Sequence, residues 1–175
     1  MRQSQIRFIR RQGFEDPNPH ESLYAALMLQ PRIIGSLFVL GVLLQSPWFF
    51  FALSGVLLWS ALVPTLSVFD AIYNHVVAHP RGLPSLGAAP APRRFAQAEA
   101  AAMVFAIAAA LALGAVTTAW AIQALFAGAL LAVILGDYCA GAEQYHLARR
   151  GLRRVLARRP QRSGRIALLS SRGSR

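Results

Sequence analysis

Residues 120–159 read WAIQALFAGALLAVILGDYCAGAEQYHLARRGLRRVLARR. From Trp120 to Gly136 no side chain is charged, and Arg149, Arg150, Arg153 and Arg154 crowd the stretch that follows. An apolar run of this length needs a lipid-sized environment, and arginines massed at its exit place that exit in the cytoplasm. The reading predicts a membrane helix from Trp120 to about Tyr145. Beyond it, residues 147–159 should form a basic amphipathic helix. At 100° per residue, Leu147, Ala148, Gly151, Leu152, Val155 and Leu156 fill one half of the wheel, and Arg149, Arg150, Arg153 and Arg154 fill most of the other.

The same alternation of apolar runs and arginines governs the rest of the chain. All 18 basic residues are arginines. Five (Arg2, Arg7, Arg10, Arg11, Arg32) precede the first apolar stretch, three (Arg81, Arg93, Arg94) separate the second from the third, and the remainder follow the fourth. The connections around Gln45 to Trp48 and Thr117 to Trp120 carry no charge. Arginine in alternate loops puts both termini and the central loop on the cytoplasmic side of a bacterial inner membrane. The fold class expected is all-α: a polytopic membrane protein with four transmembrane helices as two tight hairpins, plus the C-terminal amphipathic helix.

Composition agrees with that class. The chain has 175 residues, 55% of them hydrophobic, with mean hydropathy +0.43, which exceeds the apolar share of soluble domains. A net charge of +11 could serve nucleic acid, but these arginines flank lipid-length runs and do not interleave with base-stacking aromatics. Anionic headgroups account for the charge, and no nucleic-acid partner is expected. A single cysteine, Cys139, rules out an internal disulfide and self-contained dithiol chemistry. The N-terminus has no apolar core before Ile33 and no small-residue cleavage site after it, so the first membrane helix should act as its own insertion signal.

Three divisions follow. Residues 1–29 form a basic cytoplasmic segment, in which the arginines alternate with Ile6, Phe8, Ile9 and Phe14, a pattern that suits an anionic surface, a partner or a disordered basic tail. Asn18, Pro19 and Glu21 read as the cap, first turn and capping-box acid of a helix that enters the bilayer past Pro31. Residues 30–146 hold the four spans and the cytoplasmic loop 76–98. Residues 147–175 are the Arg-rich helix and tail. The first span covers Ile33 to Leu44, lengthened by borrowing from Leu27 onward. The second runs from Pro47 and Trp48 past Trp59, bends at Pro64 and ends near His75. The third, Glu99 to Val116, is rich in alanine. The fourth carries Gly128, Ala132, Gly136 and Ala140 at intervals of four, a small-residue stripe whose expected partner is the alanine face of the third span or another protein.

Because the outer turns are short, the chemistry-bearing side chains should gather at the cytoplasmic level. Asp70, Asn74, Arg93, Arg94, Glu99 and Asp137 form the expected polar cluster, with Asp70, Glu99 and Asp137 pairing with arginines to lock the hairpins in register. A metal would have to draw on His75, Asp70, Cys139 and His146, but none of these pairs has a diagnostic ligand spacing. A bis-histidine haem would need His75 and His146, which lie too close to the cytoplasm. No cofactor and no metal is expected. Acidic neighbours oppose thiolate chemistry at Cys139.

The segments Ser46-Pro47-Trp48, Phe69-Asp70-Ala71-Ile72-Tyr73-Asn74, Pro90-Ala91-Pro92-Arg93-Arg94-Phe95-Ala96 and Asp137-Tyr138-Cys139 together resemble the bacterial domain-of-unknown-function family 4395 of small four-span membrane proteins. The resemblance covers roughly residues 30–146, and the run before the third helix is its most specific element. It implies the four-helix architecture and no assigned activity. Further cysteines near the position of Cys139 in that family imply thiol chemistry for some members, whereas this chain has one.

With no reactive constellation, the sequence leads to a non-enzymatic accessory or scaffold subunit beside a larger respiratory or photosynthetic membrane complex. Its partners would be other membrane-protein subunits and anionic lipids. The alternative is a small transporter, or a membrane partner of a cytoplasmic thiol or sulfur enzyme, using Asp70, Asp137 and Cys139.

Overall fold

The turn at Ser46-Pro47 sets the first hairpin. Gln45 takes a left-handed conformation (φ 45°), Ser46 caps the next helix by accepting from the Phe49 amide, and Pro47 fills its first position. The structure is a computed structural model that describes residues 1–14 and 21–155. Its described residues are helical with irregular connections. In order they form α1 (Gln3–Arg11), α2 (Glu21–Leu44), α3 (Pro47–Leu62), a 3-10 turn (Pro64–Leu66), α4 (Val68–Ile72), a π-helical stretch (Tyr73–Ala78), α5 (His79–Arg81), α6 (Ala91–Ala112) and α7 (Val116–Gly136). A last helix, α8, occupies residues 140–155. The expected cap at Asn18 and Pro19, and everything beyond residue 155, lie outside the described residues.

Three helices, α2, α6 and α7, are long and apolar enough to cross a membrane. The chain is therefore a membrane-protein candidate of all-α class. The helix α3 is apolar but has only 16 residues, about 24 Å of rise against a hydrocarbon core of about 30 Å.

The first helix is continuous from Glu21 to Leu44 and takes Pro31 inside it, in line with a span lengthened beyond Ile33. Three other boundaries differ from the sequence reading. The second does not merely bend at Pro64: it ends at Leu62, because proline lacks the amide that would continue the ladder, and the chain restarts at Ser67, whose hydroxyl accepts from the Asp70 amide. The third starts at Ala91, not Glu99, since Pro92 sits comfortably in a first turn and carries Arg93 and Arg94 into the helix. The fourth breaks at Asp137, left-handed at φ 53°, so Ala140 belongs to a different helix from Gly128, Ala132 and Gly136. An aspartate tolerates that conformation better than a β-branched residue would.

Two cores hold the bundle. The first, between α2, α3, α6 and α7, centres on Phe38, Phe50, Leu57, Val104, Ile107 and Phe126. Its tightest seam joins α3 to α6, where the alanines of α6 let the backbones approach and Ser54 Oγ donates to the Ala101 carbonyl at 2.9 Å. The alanine face of the third span is thus taken by α3, not by the small-residue stripe of α7. The second core lies at one end of the bundle and gathers Phe8, Ile9, Leu27, Met28, Tyr73 and Leu86. There α1 packs on its own chain, with Phe8 and Ile9 buried and Phe8 edge-on to Tyr24. The N-terminal amphipathic face is therefore covered from within the protein and is not left for a lipid surface.

Candidate functional site

The polar residues that the sequence placed at one level divide into a buried cluster and a set of helix-end clasps. At the centre of the cluster Arg93, 4% exposed, donates from Nη2 to Asp70 Oδ1 at 2.7 Å, and Asp70 is 6% exposed. Arg93 also donates from Nη2 and Nε to Gln30 Oε1, at 2.7 and 3.2 Å, and Gln97 Nε2 donates to the same oxygen at 3.2 Å. One turn of α6, the start of α4 and the middle of α2 thereby meet through four side chains. Removing two charges from water is costly, so such a pair persists only where geometry and extra hydrogen bonds compensate. Here the compensation is incomplete. Asp70 Oδ2, Arg93 Nη1 and Gln97 Oε1 are buried without a partner.

The neighbouring Arg94 does different work from the expected acid pairing. Its Nε donates to the Ala61 carbonyl at 2.8 Å, capping the end of α3 that Pro64 left open. A cation there also suits the negative end of the helix dipole. Glu99 accepts from Gln144 Nε2 at 2.8 Å, and Asp137 accepts from the Tyr24 hydroxyl. Of the three acids expected to meet arginines, Asp70 alone does so among the described residues. Asn74 uses both ends of its amide on the Leu86 backbone, accepting from its N–H at 2.7 Å and donating to its carbonyl at 3.1 Å. It pins the central loop beside the π-helical stretch.

The helix α8 is clasped to the bundle through its first turns. Glu143 pairs with Arg11 at 2.8 Å, His146 Nε2 lies 2.9 Å from the Arg11 carbonyl, and Gly141 lies so close to α6 that a Cβ would meet the Ala96 Cα at 2.8 Å and Glu99 Oε2 at 2.6 Å. Arg149, Arg150, Arg153 and Arg154 are all exposed. On α7 the stripe is open: Gly128 and Gly136 are exposed, and a Cβ at either would meet nothing within 4 Å. Close small-residue packing within the chain occurs instead at Gly141 and at Gly41, which abuts the Phe50 ring.

Cys139 is half-buried between α7 and α8, and burial pushes its thiol up; the Gln12 side chain opposes that by hydrogen bonding. A raised thiol is a poorer source of thiolate. Among the described residues, no group of three or more His, Cys, Asp or Glu side chains gathers to hold a metal ion. Sequence reasoning missed Gln30, Gln97 and, at the opposite end of the bundle, the amide pair Gln45–Gln123, at 3.3 and 3.4 Å. The signal was available, since a lone glutamine inside an apolar helix must find a partner away from water.

Two clefts flank the ion pair. The first, of about 140 Å³, lies among α2, α6 and α7 and is lined by Gln30, Arg93 and Gln97 at one end and by Met103, Phe126 and Leu130 along its wall. The second, of about 610 Å³, is lined by Asp70, Asn74 and His75 with the 3-10 turn and the loop at Leu86.

No curated protein and no solved structure matches the chain. The family described as Domain of unknown function (DUF4395) matches residues 27–150, from the second turn of α2 into α8 and across the whole buried cluster. The chain belongs to that family.

Proposed function

We propose that this protein is a non-enzymatic accessory or scaffold subunit that docks beside a larger membrane complex. The observation that carries the reading is the outer face of α7. Only Ala119, Gln123 and Phe126 of that helix are buried, while Gly128 and Gly136 face away from the chain with no neighbour. Small residues lower the cost of close helix approach in lipid, where apolar burial gives no drive for association. The exposed arginines of α8 add a charged edge suited to anionic lipid or an acidic partner surface.

A four-span arrangement in a bacterial inner membrane completes the proposal, with α3 as the shortest crossing and both termini cytoplasmic. Two observations support it: arginines alternate between connections, and α1, the loop at Leu86 and α8 meet at one end of the bundle while the uncharged turns lie at the other. The test is the pair Gly128→Leu and Gly136→Leu. A Cβ at either position meets nothing within 4 Å of its own chain, so folding should be retained while copurification of the partner is lost. Retention of the same partner in stoichiometric amount by both variants would remove the basis of the reading.

A small transporter is the second reading, favoured because Asp70 and Arg93 pair across the boundary between two clefts. Intramembrane charges commonly mark ion or substrate paths. Proteoliposomes loaded with a pH-sensitive dye distinguish the readings. A transporter moving protons would lose flux on Asp70→Asn while staying assembled, and a scaffold would show no flux to lose.

A further inference from the structure

The first cleft changes character along its length. Arg93 and Gln97 are four residues apart on α6, so their side chains stand one above the other on a single face. Ala100 and Met103 continue that face, and the lining passes from polar to apolar over about 15 Å of helix. At the polar end, Arg93 Nη1 is a donor without an acceptor and Gln97 Oε1 an acceptor without a donor, each on a residue 4% exposed. Buried groups left in that state call for an occupant.

We propose that this cleft binds a single-chain amphiphile with an uncharged hydroxyl head. The hydroxyl oxygen accepts from Arg93 Nη1 and its hydrogen is donated to Gln97 Oε1, so one head group answers both unmade bonds. The hydrocarbon lies along Ala100, Met103 and Leu130. A charged head fits poorly. The charge of Arg93 is already met by Asp70 at 2.7 Å, Glu99 on the lining repels an anion, and Arg93 repels a cation. A volume of about 140 Å³ is close to that of cavities that take one benzene ring, about 150 Å³. The protein therefore encloses the head and the first few carbons, and the rest of the chain leaves for the lipid. A water molecule can make the same two bonds and is the rival occupant.

The experiment uses the full chain in nanodiscs and a long-chain alcohol bearing a diazirine several carbons from its hydroxyl, level with the apolar wall, with photolabelled residues mapped by mass spectrometry. Labelling should concentrate on Met103 and Leu130, and should be competed by unlabelled hexadecanol but not by hexadecyl phosphate or hexadecyltrimethylammonium. Gln97→Leu should weaken competition about tenfold, the loss expected for one unmade buried hydrogen bond. Ala129→Phe fills the cleft without touching the ion pair and should abolish the specific labelling, which keeps the test valid if Gln97→Leu fails to fold. Labelling spread evenly over exposed positions such as Phe105 and indifferent to Ala129→Phe would mean that water alone occupies the site, and would overturn the proposal. Equal competition by the charged amphiphiles would overturn it as well.

Discussion

Replacing Asp70 with alanine should damage this protein far more than loss of an ordinary surface acid. Arg93 would keep its two bonds to Gln30 Oε1 but lose its counter-charge in a site where it is 4% exposed. Breaking one side of a buried pair costs about 3–5 kcal/mol, compared with about 0–1 kcal/mol for an exposed pair. At about 2–4 °C per kcal/mol for a chain of this size, the midpoint of thermal unfolding should fall by about 6–20 °C. The double variant Asp70→Leu with Arg93→Met removes both charges and keeps most of the volume, so it should recover the greater part of that loss. Thermal unfolding of the purified chain in one mild detergent, for wild type, Asp70→Ala, Asp70→Leu, Arg93→Met and the Asp70→Leu with Arg93→Met double variant, gives the coupling through a double-mutant cycle of the last three with wild type. A fall of less than about 2 °C for Asp70→Ala, or a double variant that equals the sum of the singles, would refute the claim that these charges meet in a water-poor interior.

Three further outcomes are expected. Gly141→Ala sets a methyl against the Ala96 backbone at 2.8 Å and should cost about 1–3 kcal/mol, whereas Gly128→Ala, with nothing within 4 Å, should be neutral or slightly stabilising; paired unfolding curves check the contrast. Asn74→Ala breaks both bonds to Leu86 and should speed tryptic cleavage after Arg81 several-fold, read as the rate of appearance of the two halves on a gel. The raised thiol of Cys139 binds its proton longer in the folded state than in the unfolded one. Its contribution to stability is full below the ordinary thiol range, about 8.5, and is lost as pH rises through it and on toward the folded value. Cys139→Ala should flatten that alkaline loss, and an unchanged pH profile would contradict the burial argument.

Much of the fold was readable because membrane helices announce themselves by length and flanking charge. The turn at Ser46-Pro47 and the apolar stretches behind α2, α6 and α7 follow from local rules that need no tertiary information. The breaks were harder to read. Pro64 could either bend or end its helix, and what settles the matter is the restart capped by Ser67 together with Arg94 reaching across to the Ala61 carbonyl, a partner 33 residues away. Asp137 ends α7 although acid and glycine neighbours there read equally well as helix, and its Tyr24 partner is 113 residues distant. At the site, the charged members Asp70 and Arg93 stood out because charges near lipid-length runs are rare. Gln30 and Gln97 did not, since a neutral amide alters an apolar pattern little, yet Gln30 accepts two of the three hydrogen bonds that Arg93 donates and Gln97 donates to the same oxygen.

The central claim is that this chain works as part of a larger membrane assembly. It is tested most directly by tagging the full chain in its native membrane, solubilising gently, and weighing the particle by native mass spectrometry with identification of its components. An accessory subunit is expected to appear in a larger particle at fixed stoichiometry, and to leave it when Gly128 and Gly136 are replaced by leucine. Recovery of a bare monomer from gently solubilised membranes, with lipid as its sole companion, would contradict the claim.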